Sequence, residues 1–168
     1  MNPKHIYLNA FNLLPQIGPR RFRKLLNFFG NLEEAWRAQT NALLAAGLEE
    51  SIVLQILEHR RQTDPEAEYD KLRQHQIQTI VFEEESYPAL LREIPDPPVI
   101  LYVRGQLLPR DANAIAIVGS RKYSPYGKQV TLELTRDLVR SGLTIASGLA
   151  LGIDALAHHA ALEYSGRT

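Results

Sequence analysis

Between Ala114 and Asp154 the chain passes through strand, glycine turn and helix two times in succession, and this stretch limits the fold more than any other feature. Ala114-Ile115-Ala116-Ile117-Val118 is a short apolar run that ends at Gly119. A run without polar alternation predicts a strand buried on both faces of a parallel sheet. Gly119 permits a sharp turn and the close approach of another group. Tyr126, Val130, Leu134 and Leu138 then recur at intervals of four, which predicts a helix with one apolar side. Ser141-Gly142 stops that helix, and Leu143 to Ala146 is the next strand. Gly148 and Gly152 bracket a loop, after which Ile153, Leu156, Ala157, Ala160 and Ala161 mark one side of a second helix. The outcome is a βαβα unit with both loops at the carboxyl end of the sheet, where open α/β sheets bind ligands.

The same residues carry a resemblance. Gly119-Ser120-Arg121, Tyr126-Gly127, Ser147-Gly148, Ala150, Gly152-Ile153-Asp154, Ala157-His158 and Ala161-Leu162 stand in the order and spacing of the DNA-processing protein A (DprA, also called Smf) family. The segment from about 65 to 113, with Tyr87-Pro88, Pro97-Pro98 and Leu101-Tyr102-Val103-Arg104-Gly105, is similar to that family's lead-in. The resemblance implies an α/β fold: a small helical domain like a sterile-alpha-motif or helix-hairpin-helix module, then a partial, mostly parallel, extended Rossmann-like sheet with flanking helices. It implies a protein that binds single-stranded DNA, protects incoming DNA and hands it to the RecA recombinase in natural transformation. It implies no catalytic step and no cofactor. It also implies a homodimer in the complete protein, through a contact beyond residue 168. Spacing and composition alone give only an α/β domain with an anion-binding loop.

The bulk numbers fit without adding to this. The chain has 168 residues, with 45% apolar content, enough for one domain or two small ones. Lys and Arg number 19, as do Asp and Glu, so no overall basic field advertises nucleic acid and local patches must do so. There is no cysteine, which excludes disulfides and thiolate metal sites. No leader pattern opens the sequence, and no apolar run approaches the roughly 18 residues of a spanning helix. A cytoplasmic protein with no membrane partner is expected.

Ahead of the central stretch the sequence predicts a bundle of small helices over 1–64. Pro3 to Leu14, Arg20 to Phe29, Leu32 to Arg37, Asn41 to Ala46 and Glu49 to Arg61 carry helical periodicity. Gly30 and Asn31 supply caps. Asp64-Pro65 marks the expected boundary of a second domain over 65–168 and caps a helix to about His75. Strands are expected over Ile77 to Phe82 and Val99 to Val103. Between them Glu83-Glu84-Glu85 is expected to be a solvated acidic loop.

Gly119, Ser120 and Arg121 are the principal expected phosphate seat, since a turn, a hydroxyl and a guanidinium fork suit a phosphate together. Lys122 and Lys128 extend the basic surface or simply face solvent. Ser147 and Gly148 end the neighbouring strand and border the same crevice. Gly152 is read as a packing glycine, and Asp154 as structural in the first turn of its helix. Around Leu14-Pro15-Gln16-Ile17-Gly18-Pro19-Arg20, Gly18, Arg20 and Lys24 are either a weak secondary DNA contact or a solvated basic face, and charge runs favour the second. His158 and His159 point about 100° apart on a helix and cannot chelate one ion together, so no metal is expected. His158 is expected to reach back to Asp154.

No carboxylate pair, nucleophile with base, phosphate-loop lysine or dinucleotide fingerprint appears. The alternatives are a nucleotide-binding sensor or a phosphoribohydrolase-like enzyme on a related Rossmann-like fold, whose Pro-Gly-Gly-x-Gly-Thr motif is absent here. Gly166-Arg167-Thr168 looks like the approach to a further strand. A partial sheet is therefore expected, with an unpaired edge that invites association.

Overall fold

The computed structural model describes residues 2–168. It divides into two compact units, up to Gln106 and from Leu107 onward.

In the first unit, helices α1 (Pro3–Asn12), α2 (Pro19–Phe29), α3 (Leu32–Arg37), α4 (Thr40–Ala45) and α5 (Glu50–Gln62) form the expected bundle. Local chemistry sets their ends. Asn2 and Asn31 accept N–H bonds as caps of α1 and α3, and Gly30 ends α2 at φ +76°. The core is aromatic: Phe11 meets Trp36 edge-on with centroids 5.1 Å apart and Phe22 at 6.4 Å. Full burial of each such side chain stabilises by about 1.5–3 kcal/mol.

Helix α6 (Pro65–Gln74), strand β1 (Ile77–Val81), helix α7 (Ala89–Arg92) and strand β2 (Ile100–Arg104) belong to this same unit. The compact boundary therefore does not coincide with the expected division at residue 64. Asp64 is the cap of α6, accepting from the N–H groups of Glu66 and Ala67. β1 and β2 pair antiparallel, Ile77 opposite Arg104 through Val81 opposite Ile100. Val81 and Ile100 complete the helical core. Polar groups of α1 bind the hairpin: His5 Nδ1 lies 2.6 Å from Thr79 Oγ1, and Asn9 Oδ1 accepts from the Tyr102 hydroxyl at 2.9 Å. The acidic loop is only partly solvated. Glu83 pairs with Lys4, while Glu84 meets His5 Nε2 at 2.7 Å and accepts from the Val81 N–H at 2.9 Å.

The second unit starts with a 3-10 turn (Pro109–Asn113). β3 (Ala114–Ala116), α8 (Pro125–Arg140), β4 (Thr144–Ala146) and α9 (Ile153–Glu163) follow. β3 and β4 are parallel, with Ile115 opposite Ile145, and α8 is the crossover that a parallel pair requires. Ile117, Ile145, Ala157 and Ala161 form the core, with Leu138, Val139 and Ile153 against it. Asp111 clasps the unit: Arg167 Nη2 donates to its Oδ2 at 2.6 Å, Arg167 Nε binds its Oδ1, and Thr144 Oγ1 donates to Oδ1 at 3.2 Å. The Ile145 N–H donates to the Arg167 carbonyl at 2.9 Å, and Thr168 Oγ1 donates to the Ile145 carbonyl at 2.8 Å. Residues 167–168 thus run along the edge of β4 opposite β3, the approach to a strand that the sequence predicts.

The apolar side of α8 differs from expectation. Thr131 and Thr135 are buried, whereas Tyr126, Val130 and Leu134 are exposed. Periodicity in hydrophobicity alone does not register threonine as a core residue, whereas Leu138 and Val139 do pack against the core. Among the described residues, no helix is long and apolar enough to cross a membrane.

Candidate nucleic-acid interface

The turn after β3 is seated on one side chain, Ile153 at the start of α9. A Cβ on Gly119 would lie 2.8 Å from Ile153 Cγ1, closer than any side chain tolerates. Gly127, in the first turn of α8, rests on the same side chain, where a Cβ would stand 3.8 Å from Ile153 Cδ1. Gly152 faces the turn from the other loop. Its φ is +94°, and a Cβ there would meet the Ser120 carbonyl oxygen at 2.3 Å and Arg121 Cα at 2.6 Å. The Ile153 N–H donates to that same Ser120 carbonyl at 3.1 Å. Gly152 is thus a packing glycine, and what packs on it is the backbone of the turn.

Asp154 ties the loops together from inside. It is 5% exposed, its Oδ1 accepting from the Gly119 N–H at 3.3 Å and its Oδ2 from the Gly148 N–H at 3.0 Å. Burial pushes its carboxyl pKa upward. Donation from the N–H groups of Gly119, Gly148 and Ala150 outweighs this and holds it below the ordinary aspartate value. Backbone donors therefore stabilise the charge of Asp154, and Arg121 forms no ion pair with it.

The expected site residues fall into two groups. Some build the scaffold. Ser147 Oγ donates to the Ile117 carbonyl at 2.6 Å, and the Gly148 N–H is bound to Asp154. Ser120 Oγ donates to the Lys122 carbonyl at 2.7 Å and accepts from the Lys122 N–H at 3.1 Å, so this hydroxyl shapes the turn. The rest face water. The side chains of Arg121, Lys122 and Lys128 are exposed and have no acidic partner among the described residues. The N–H groups of Ser120 and Arg121 also have no acceptor there. The turn after β3 thus carries the guanidinium of Arg121, the ammonium of Lys122 and two free amides, and the ammonium of Lys128 follows in the first turns of α8. Ser124 caps α8 through the Gly127 N–H at 3.1 Å, which fixes the helix start beside them.

The basic cluster of the first unit is largely engaged. Arg21 binds Glu49 at 3.0 Å and the Gln16 carbonyl at 2.7 Å, and Arg23 binds Asp96 at 2.9 Å. Lys24 Nζ donates to the Gly47 carbonyl at 2.5 Å. Gly18 caps α2, its carbonyl accepting from the Arg21 and Phe22 N–H groups. Of Gly18, Arg20 and Lys24, only Arg20 has its charge in water and unpartnered among the described residues.

His158 does not reach Asp154. Its Nδ1 lies 2.5 Å from Thr168 Oγ1 instead, because Asp154 is already filled by backbone donors. No trio of His, Asp or Glu able to hold a metal ion occurs among the described residues. Sequence reasoning gave no role to Tyr123 or to the outward side of Tyr126. Their signal is the alternation of basic and aromatic residues over 121–128.

Comparison with known proteins points one way. The family model described as DNA recombination-mediator protein A matches residues 78–168, more than half of the chain and all of the turn and its clamp. The protein Smf of Synechocystis sp. is 35% identical over 172 residues, covering 99% of this chain and 43% of its own. DNA processing protein DprA of Bacillus subtilis is 42% identical over 97 residues, 57% of this chain and 33% of that one. The X-ray structure of DNA processing protein A (DprA) from Streptococcus pneumoniae aligns with a TM-score of 0.71 and 27% identity, over 99% of this chain and 56% of that one. The chain therefore spans about half the length of these relatives or less.

Proposed function

Since the chain belongs to the DNA recombination-mediator protein A family, we propose that it binds single-stranded DNA without a catalytic step, through the turn Gly119-Ser120-Arg121. The observation that carries this is the exposed guanidinium of Arg121, without an acidic partner among the described residues, on a turn clamped by Ile153, Gly152 and Asp154. A guanidinium fork carried on a turn already held in place meets a phosphate without a loop to order first. Lys122 and Lys128 add counter-charge, and Ser147 and Gly148 hold the second loop in place. Arg20 provides a secondary, weaker contact. Within a longer protein of this family, acting in the cytoplasm as a homodimer, the site protects incoming DNA and delivers it to the RecA recombinase.

Fluorescence anisotropy tests the assignment. A labelled single strand should bind more tightly than its duplex, and binding should weaken with salt as counterions are released. Arg121→Ala should cost about 1.5–3 kcal/mol, the value of a charge-assisted contact. Equal affinity for strand and duplex, or an unaffected variant, would refute it. Turnover of nucleoside monophosphates would place the chain with phosphoribohydrolase-like enzymes instead.

A further inference from the structure

Tyr126 is 76% exposed and Tyr123 is 42% exposed, unusual for rings of this size, and neither makes a hydrogen bond or ring contact within the described residues. Tyr126 is not on a loose segment. It sits in the first turn of α8, directly behind the Ser124 cap and Pro125. Its direction follows from helix geometry. At about 100° per residue, Tyr126 lies on the side of α8 opposite Val139. Val139 packs against Gly166, just beyond α9, where a Cβ would stand 2.5 Å from Val139 Cγ2. The tyrosine therefore faces away from α9.

The cations are close by construction. The Gly119 turn and the first turn of α8 both rest on Ile153, and a Cβ on Gly127 would also stand 3.8 Å from Tyr123 Cβ. The order along the chain is Arg121, Lys122, Tyr123, Tyr126, Lys128. Val118, at the same end of the sheet, is 71% exposed. Cations interleaved with outward-facing rings suit a strand whose phosphates meet the charges while its bases lie on the rings. Bases inside a duplex are stacked on one another and offer no free face to such a ring.

We propose that Tyr126, with Tyr123 beside it, is a base-stacking platform that makes the site select unpaired strands with little regard to sequence. This rests on the turn binding a nucleic-acid backbone, and it adds the element that discriminates base from phosphate. The competing explanation is that Tyr126, Val130 and Leu134 form a plain apolar stripe for another protein surface.

The test compares two labelled strands of equal length, oligo-deoxythymidine and an abasic deoxyribose-phosphate strand, by anisotropy with the 168-residue chain. The wild-type protein should bind the thymidine strand roughly tenfold more tightly. Tyr126→Ala should abolish that preference while leaving abasic affinity and the salt slope unchanged. Tyr126→Phe should keep the preference, and Tyr126→Leu, which retains apolar bulk, should lose it. Leu134→Ala should keep it. Arg121→Ala should weaken both strands and flatten the salt slope. A Tyr126→Ala or Tyr126→Leu protein that still prefers thymidine overturns the platform, as does loss of the preference in Leu134→Ala. Salt-dependent wild-type binding without any preference sinks the platform and leaves the phosphate seat standing. Wild-type binding to neither strand sinks both.

Discussion

Gly152→Ala should damage the interface more than any other change of one methyl group, and the structure says by how much. Gly152 sits at φ +94°, a region that costs a residue with a side chain about 1–3 kcal/mol. The added Cβ would also fall 2.3 Å from the Ser120 carbonyl oxygen and 2.6 Å from Arg121 Cα. Both are backbone atoms and cannot swing aside as a side-chain tip does. Relieving that overlap means moving the turn off Ile153, at about 1–3 kcal/mol for overpacking of this kind. The total of about 2–6 kcal/mol is a large part of the roughly 5–15 kcal/mol that holds a domain together. Gly142→Ala is the internal control: its φ is +79°, yet nothing lies within 4 Å of a Cβ there. It should show the backbone cost alone, about 1–2 kcal/mol. Urea unfolding followed by circular dichroism compares the two. Hydrogen exchange read on peptides covering 114–122 and 143–154 localises the change. The Gly152 variant should lose protection in both peptides and lose single-strand affinity. If the two variants are equally stable, the contact between the loops is not what holds Arg121 in place.

Two further outcomes follow from the packing and charge of each unit. Arg60 donates to the Ala35 carbonyl at 2.6 Å and the Ala38 carbonyl at 2.8 Å, with burial lowering its pKa to about 10. Arg60→Ala should therefore destabilise by about 1–3 kcal/mol through orphaned carbonyls at the end of α3, and a urea midpoint read on Trp36 fluorescence that does not move would contradict this. The Asp111 carboxyl is held well below the ordinary range, first by the Arg167 hydrogen bonds and against the opposing effect of burial. A carboxyl depressed by folding contributes stability above its unfolded pKa of about 3.9, and that contribution fades as pH falls below it. The deficit of Asp111→Asn should be full at pH 7 and shrink in acid; a constant deficit down to pH 3 would rule the clasp out.

What the sequence determined is the order and type of the elements and the chemistry of the turn. Helix ends at Gly30, Asn31, Asp64 and Pro65, the parallel βαβα unit and the glycines of both loops are properties of short segments. Local propensity and local hydrogen bonds set them, so they can be read from neighbours in the chain. The order of motifs from Gly119 to Leu162 likewise carries the family resemblance. What only the tertiary structure decided is which partner each polar group finds. Asp154 is filled by the amides of Gly119 and Gly148, Arg21 and Arg23 are paired with acids far along the chain, and Arg121 has no acidic partner among the described residues. Val81 and Ile100 enter a core made by helices whose sequences end before residue 63, so the first compact unit extends beyond Asp64. Which side of α8 turns inward was also decided by packing, which buries Thr131 and Thr135 and leaves Tyr126 exposed. Segments declare their own periodicity, but the competition between distant groups for one buried position is settled only when the chain has closed upon itself.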